Sequence, residues 1–181
     1  MAEMGMEMIP AGETGLIQAR YTELGHVGIS GAYDPELIPG ALSQLQHVRM
    51  HAGRVLGEQI GTISVDPDTL EPEIKQFLVS VESVASGLGR GWPAGRLLVE
   101  KVTMPAKLEG KEHTDLRGLG GPVFITNFKG SSRLRIEDGT EYHIDGLGSA
   151  VCLDHGRLLK HQGLADPGED RTGIVVSKIA A

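Results

Sequence analysis

The chain has 181 residues, 40% of them hydrophobic, which is enough for one domain with its own core. A formal net charge of −7 and an aromatic content of 4% argue against a protein that coats nucleic acid, which needs a basic face and stacking rings, and leave room only for a local basic groove. No apolar run approaches the roughly 20 residues of a membrane helix, and Cys152, the only cysteine, can form no intrachain disulfide, which fits a reducing, cytoplasmic setting.

Residues 1–15 mix Met with Glu3 and Glu7 and lack the basic start and apolar centre of a signal peptide. They read as a flexible tail, with a partner-binding arm as the second reading. Leu37, Ala41, Leu45, Val48, Ala52 and Val55/Leu56 recur every three or four residues, the spacing of an amphipathic helix, which Pro39, Gly40, Gly53 and Gly57 would break in two. His47 and His51 would share one face of it. Val48 stands where a zinc-protease motif needs glutamate, so both read as ordinary helix residues. Ile74, Phe77/Leu78, Val81 and Val84/Ala85 predict a second helix, with Pro72 near its start and Gly87 and Gly89 at its end. The stretch from Ser86 to Pro93 is glycine-rich, but no strand precedes it and no Gly-Lys-Ser/Thr follows, so it reads as a loop rather than a phosphate cradle.

Strand candidates follow: Arg96–Met104, Val123–Phe128, Arg133–Glu137, Thr140–Ile144, Ala150–Leu153, Arg157–His161 and Gly173–Ile179. Asp138-Gly139 marks a hairpin turn. A two-residue loop would set Leu134 opposite His143 and mix polar with apolar. A three-residue loop, Glu137-Asp138-Gly139, sets Leu134 opposite Tyr142 instead. Leu134, Ile136, Tyr142 and Ile144 then face inward, and Arg133, Arg135, Glu141 and His143 face outward. Cys152, inside Ala150–Leu153, reads as a buried strand thiol. Gly118-Leu119-Gly120-Gly121 reads as a mobile loop. Short strands with glycine-rich turns suggest a sandwich or barrel. The expectation is one α+β domain over 1–181, with a tail at 1–15, mainly helical support at 16–95 and a β-rich unit at 96–181.

His113-Thr114-Asp115 carries the chemistry. In an extended segment residues i and i+2 point to the same side, so an imidazole and a carboxylate can grip one ion. A second histidine from a distant strand completes the two-His-one-carboxylate face that non-haem Fe(II) oxygenases use, with three positions left for a co-substrate and dioxygen. His143-Ile144-Asp145 repeats the pattern, but it lies on the outward side of the hairpin and only eighteen residues before His161. His161 and His155 are both candidates for the distant histidine. His161 is preferred, because His155 sits in a turn-like Asp154-His155-Gly156 and Arg171 lies ten residues beyond His161. A guanidinium there can take the far carboxylate of a dicarboxylic co-substrate as a bidentate pair.

In this order, His113-x-Asp115, then His161, then Arg171, residues 98 to 179 resemble the catalytic double-stranded β-helix of Fe(II)/2-oxoglutarate-dependent dioxygenases. The stretch Leu98 to Pro105 followed by Gly110 to Asp115 resembles the first strands of that family. Gly148 to Asp154 leading to His161 resembles its aspartyl/asparaginyl and proline hydroxylase branch. The resemblance implies a jelly-roll, cupin-like core with packing helices from the amino-terminal half. It implies Fe(II) on His113, Asp115 and His161, and 2-oxoglutarate as co-substrate held by Arg171. Thr126, Lys129 and Arg135 are candidates for a second co-substrate contact, and Arg117 for a supporting one. The implied activity is hydroxylation of an amino acid, a peptidyl side chain or another small metabolite, with release of succinate and CO2. Two alternatives stand beside it: a nucleic-acid-modifying dioxygenase of the same superfamily, and a catalytically inactive jelly-roll binding or assembly protein. A cupin-type site fits the histidine spacing less well.

Overall fold

The computed structural model describes residues 6–52, 59–63, 69–89, 95–114 and 119–180. In chain order the elements are β1 (Ile9–Pro10), α1 (Thr14–Leu24), β2 (His26–Ser30), α2 (Ile38–Leu45), β3 (His51–Ala52), β4 (Gln59–Ile63), α3 (Pro72–Gly87), β5 (Gly95–Met104), β6 (Leu119–Thr126), β7 (Ser132–Ile136), β8 (Glu141–Ile144), β9 (Ala150–Asp154), β10 (His161–Ala165) and β11 (Arg171–Ala180). They build two sheets. The larger has the order β1-β2-β9-β6-β11-β5-β4-β3 and the smaller the order β10-β7-β8. All pairings are antiparallel except β1 with β2. Residues 109–113 run beside β10 and touch it through the bridges Glu109–Leu164 and His113–His161.

Strand alternation explains the layers. In β6, Val123 and Ile125 face the small sheet, where they meet Leu134, Ile136, Tyr142, Ile144, Val151 and Leu153. Phe124, between them, faces the helices and joins Phe77, Val81, Val99, Cys152 and Val176 in the other core. A strand buried on both faces reads as an unbroken apolar run, which is what Ala150-Val151-Cys152-Leu153 is. Cys152 is fully buried there, and burial pushes its thiol well above the usual range.

Helix α3 follows its pattern: Ile74, Phe77, Leu78, Val81 and Ala85 are buried and Pro72 occupies the first turn. Phe77 meets Tyr33 and Phe128 edge-on, each with ring centroids 5.0 Å apart, a geometry worth about 1 kcal/mol per pair beyond burial. The β7–β8 hairpin has the expected register, Leu134 opposite Tyr142. Gly139 adopts φ 89°, and its amide bonds the Ile136 carbonyl at 2.9 Å.

Several expectations are corrected. The helix read across 37–56 ends at Leu45, after a short 3-10 turn at Pro35–Leu37, and His51–Ala52 is instead a strand paired with β4. His47 and His51 therefore share no helix face. Val55 and Leu56 lie outside the described residues. The segment read as a tail supplies β1, and the Met6 amide bonds the Glu141 carbonyl at 3.0 Å, so residues 6–10 reach from the small sheet to the large one. The amino-terminal half also adds β2 and β4 to the large sheet, alongside its helices. The strand read at Arg157–His161 begins only at His161, because residues 155–157 form a 3-10 turn and Leu158 takes φ 50°. Leu119, Gly120 and Gly121, read as part of a loop, belong to β6, while Gly118 lies outside the described residues.

Among the described residues no helix is long and apolar enough to cross a membrane.

Candidate metal centre

His113 and His161 are cross-strand partners. Each backbone amide donates to the other's carbonyl, at 3.0 Å from His113 and 2.9 Å from His161. Residues opposite one another in an antiparallel pair project to the same side, and the two imidazoles stand with ring centroids 4.5 Å apart. The interior face of β10 carries His161, Gly163 and Ala165, whose partners on β7 are Ile136, Leu134 and Ser132. Ile136 and Leu134 belong to the core between the sheets. The paired histidines thus open on the space between the two sheets, His161 buried and His113 half-buried.

Each ring is oriented by a carbonyl two residues earlier. Nδ1 of His113 lies 2.8 Å from the Lys111 oxygen, and Nδ1 of His161 lies 3.2 Å from the Leu159 oxygen. A carbonyl can only accept, so each Nδ1 carries the proton and, in the neutral ring, Nε2 carries the lone pair. Backbone carbonyls commonly hold metal-binding histidines in this way. Two such nitrogens on neighbouring positions suit a divalent transition ion of borderline softness. Asp115, two residues beyond His113, lies outside the described residues. Among the described residues no three histidine, cysteine or carboxylate side chains converge, so this donor set needs a ligand from elsewhere.

Arg171 begins β11 opposite Met104 and is buried, 4% exposed. Its Nε donates to Oδ1 of Asn127 and its Nη1 lies 3.2 Å from the Met104 sulfur. The guanidinium reaches Gly163: a Cβ built on that glycine would stand 3.6 Å from Nη1. Gly163 is two residues along the same face from His161, about 7 Å at strand rise. The structure thus brings His113, His161 and Arg171 to one interior.

The other candidates are placed elsewhere. The Thr126 hydroxyl is held by the β11 backbone, donating to the Ile174 carbonyl at 2.9 Å and accepting from its amide at 3.3 Å. This spot is tight, since a Cβ on Gly173 would meet the Thr126 carbonyl oxygen at 1.9 Å. Lys129 points outward, 54% exposed, with Nζ 3.8 Å from Glu169. Arg135 also faces out and donates to Glu141 at 3.0 Å. Arg117 lies outside the described residues. His155, the alternative to His161, is buried in the 3-10 turn after β9, and its Nε2 has no hydrogen-bond partner among the described residues; its backbone does not pair with His113. The second His-x-Asp pair is split: His143 Nε2 contacts Asp166 at 3.2 Å, while Asp145 accepts from Leu147 N and Ser149 Oγ.

Asn127, Met104 and Gly163 went unrecognised in the sequence. Gly163 carried a weak signal, a glycine between Gln162 and Leu164 ahead of the apolar Leu164-Ala165, which can mark a close approach. Asn127 offered only an amide at the end of the apolar run Val123–Ile125.

No protein-family model matches the chain, and no curated protein sequence matches it. Its fold is shared with solved structures. An oxidoreductase of the 2OG-Fe(II) oxygenase family from Burkholderia pseudomallei superposes with a TM-score of 0.72 at 12% identity, over 99% of this chain and 95% of that one. A prolyl-4-hydroxylase from Pseudomonas putida gives 0.69 at 16% identity, over 93% of this chain and 99% of that one. HygX from Streptomyces hygroscopicus, solved with nickel and 2-oxoglutarate bound, gives 0.66 at 9% identity, over 90% of this chain and 85% of that one.

Proposed function

We propose that the protein is an Fe(II)- and 2-oxoglutarate-dependent oxygenase built on a double-stranded β-helix, which hydroxylates an amino acid, a peptidyl side chain or another small metabolite and releases succinate and CO2. The observation that carries this reading is the reciprocal backbone pairing of His113 with His161, with the Arg171 guanidinium of the facing sheet reaching Gly163, two residues from His161 along β10. The fold shared with 2OG-Fe(II) oxygenases, a prolyl-4-hydroxylase among them, supports it. The alternation of β5, β6, β9 and β11 in one sheet with residues 109–113, β7, β8 and β10 in the other supports the double-stranded β-helix.

His113, Asp115 and His161 hold Fe(II) in this reading, and Fe(II) with 2-oxoglutarate and dioxygen supplies the oxidising chemistry. Carbonyl contacts at both Nδ1 atoms fix which nitrogen each ring offers. The Arg171 guanidinium receives the distal carboxylate, and burial strengthens that pairing. Gly163 keeps the path between them clear of side chain. The apolar wall of Leu134, Ile136, Val123 and Ile125 excludes water. Neither Thr126 nor Lys129 touches the co-substrate in this reading: Thr126 would act through the β11 backbone it braces, and Lys129 through the Lys129–Thr172 bridge beside Arg171.

The test is calorimetric binding of Mn(II) and then of 2-oxoglutarate under anaerobic conditions, paired with succinate release on Fe(II). Wild-type protein is expected to bind both, His113→Ala and His161→Ala to lose the metal, and Asp115→Ala to lose succinate release. Metal binding that survives in both histidine variants would overturn the assignment.

A further inference from the structure

We infer that Asn127 is a positioning residue that sets the reach of Arg171 and so selects the chain length of the 2-oxo dicarboxylic acid the protein binds; the inference rests on Arg171 being the anchor for the distal carboxylate.

Arg171 and His161 belong to different sheets: Arg171 starts β11 of the large sheet, and His161 starts β10 of the small one. The separation of guanidinium and imidazole would therefore follow the spacing between sheets and the rotamer of a long side chain. Arginine has a large rotamer entropy to lose, so something must hold it for a fixed length to be read.

Asn127 supplies that hold. Its side chain is fully buried and bonded on both ends. Oδ1 accepts from Arg171 Nε, while Nδ2 donates to the Ile144 carbonyl at 2.6 Å and to Ser132 Oγ at 3.0 Å. The orientation of the amide is forced. Arginine Nε–H can only donate and a backbone carbonyl can only accept, so a flipped amide would break both bonds. The Asn127 carbonyl is held in turn by the Tyr33 hydroxyl at 2.8 Å.

The anchors decide what this means. Ile144 lies on β8 and Ser132 on β7, and Ser132 is the register partner of Ala165 on β10. Both are strands of the small sheet. Asn127 therefore references the Arg171 guanidinium to the sheet that carries His161. A bond at Nε also fixes the plane of the guanidinium. Asn127 and the Met104 sulfur are both neutral, so they orient the cation without neutralising it. An aspartate at 127 would do the opposite, and could not donate to Ile144.

The test uses Mn(II)-loaded protein without dioxygen and reads binding by calorimetry for oxaloacetate, 2-oxoglutarate and 2-oxoadipate, which differ by one methylene each. Wild-type protein is expected to prefer 2-oxoglutarate to both. Asn127→Ala is expected to reduce that preference by about tenfold, the weight of roughly one hydrogen bond to a charged group, while Mn(II) affinity stays unchanged. Ser132→Ala removes one of the two amide anchors and keeps Asn127, so it is expected to shift the preference in the same direction by less. Thermal midpoints without ligand separate loss of fold from loss of selectivity. Should Asn127→Ala fail to fold, Ser132→Ala decides. Folded variants that keep the wild-type preference would overturn the inference alone. Wild-type protein that binds metal but none of the three acids would overturn the reading of Arg171, and the inference with it.

Discussion

Gly163 lies against Arg171 so closely that a Cβ on the glycine would sit 3.6 Å from Nη1 and 3.8 Å from the Met104 sulfur. Both are ordinary van der Waals distances, so one methyl group fits and a branched side chain would fill the path from Arg171 to His161. Gly163→Ala is expected to fold and to bind 2-oxoglutarate within about threefold of wild type. Gly163→Val is expected to weaken that binding by more than about tenfold, equivalent to roughly 1.4 kcal/mol, with metal affinity unchanged. Titration of the co-substrate into Mn(II)-loaded protein reads this directly. Equal affinity in the valine variant would mean that the co-substrate takes another path.

The β7–β8 turn makes a prediction about stability alone. Gly139 adopts φ 89°, and no atom of the described residues lies within 4 Å of the Cβ it lacks. Any penalty on substitution therefore comes from backbone strain. Gly139→Ala is expected to cost about 1–2 kcal/mol, and Gly139→Asn less, because asparagine tolerates the left-handed region. Urea denaturation at constant slope measures both. An alanine variant as stable as wild type would show that the turn relaxes freely.

Asp166 links the β10–β11 turn to the small sheet and makes stability depend on pH. Burial alone would raise its carboxyl, but hydrogen bonds from Ser131, Arg133 and His143 outweigh that and hold it below the usual carboxylate range. A carboxyl lowered by folding adds stability that is full above its unfolded value, near about pH 4, and is lost as pH falls through the lower folded value. Asp166→Asn is expected to lower stability at neutral pH and to flatten the decline between about pH 5 and about pH 3. Thermal midpoints across that window test it; an unchanged slope would place the acid sensitivity elsewhere, with Asp138 beside His26 the next group to examine.

Elements whose pattern is local were legible before any coordinates. Helix α3 buries a full stripe and carries its own start and stop signals. The β7–β8 register followed from one glycine and from the demand that Tyr142 and Leu134 share a face. Helix α1 was missed because only Ile17 and Tyr21 on it are buried, too thin a stripe to show periodicity. β2 and β4 were missed because each is five residues long and contains a glycine, Gly28 or Gly61, that interrupts alternation. Gly28 is there for a tertiary reason: a Cβ would strike Met8 and Tyr142, neither of which is near in sequence. The apolar spacing of Val48 and Ala52 imitated a helix beyond Leu45, although His51 and Ala52 pair with β4.

The sequence by itself determined the candidate residues and their order, His113, then His161, then Arg171, because side-chain chemistry survives in one dimension. It also determined the strand periodicity that buries one face of β7 and β8. Only the tertiary structure decided that His113 and His161 exchange backbone hydrogen bonds, that Gly163 lies under Arg171, and that Asn127 ties the guanidinium to the opposite sheet. Those relations depend on strand register and on the spacing of two sheets, which long-range packing sets and no local spacing of residues encodes.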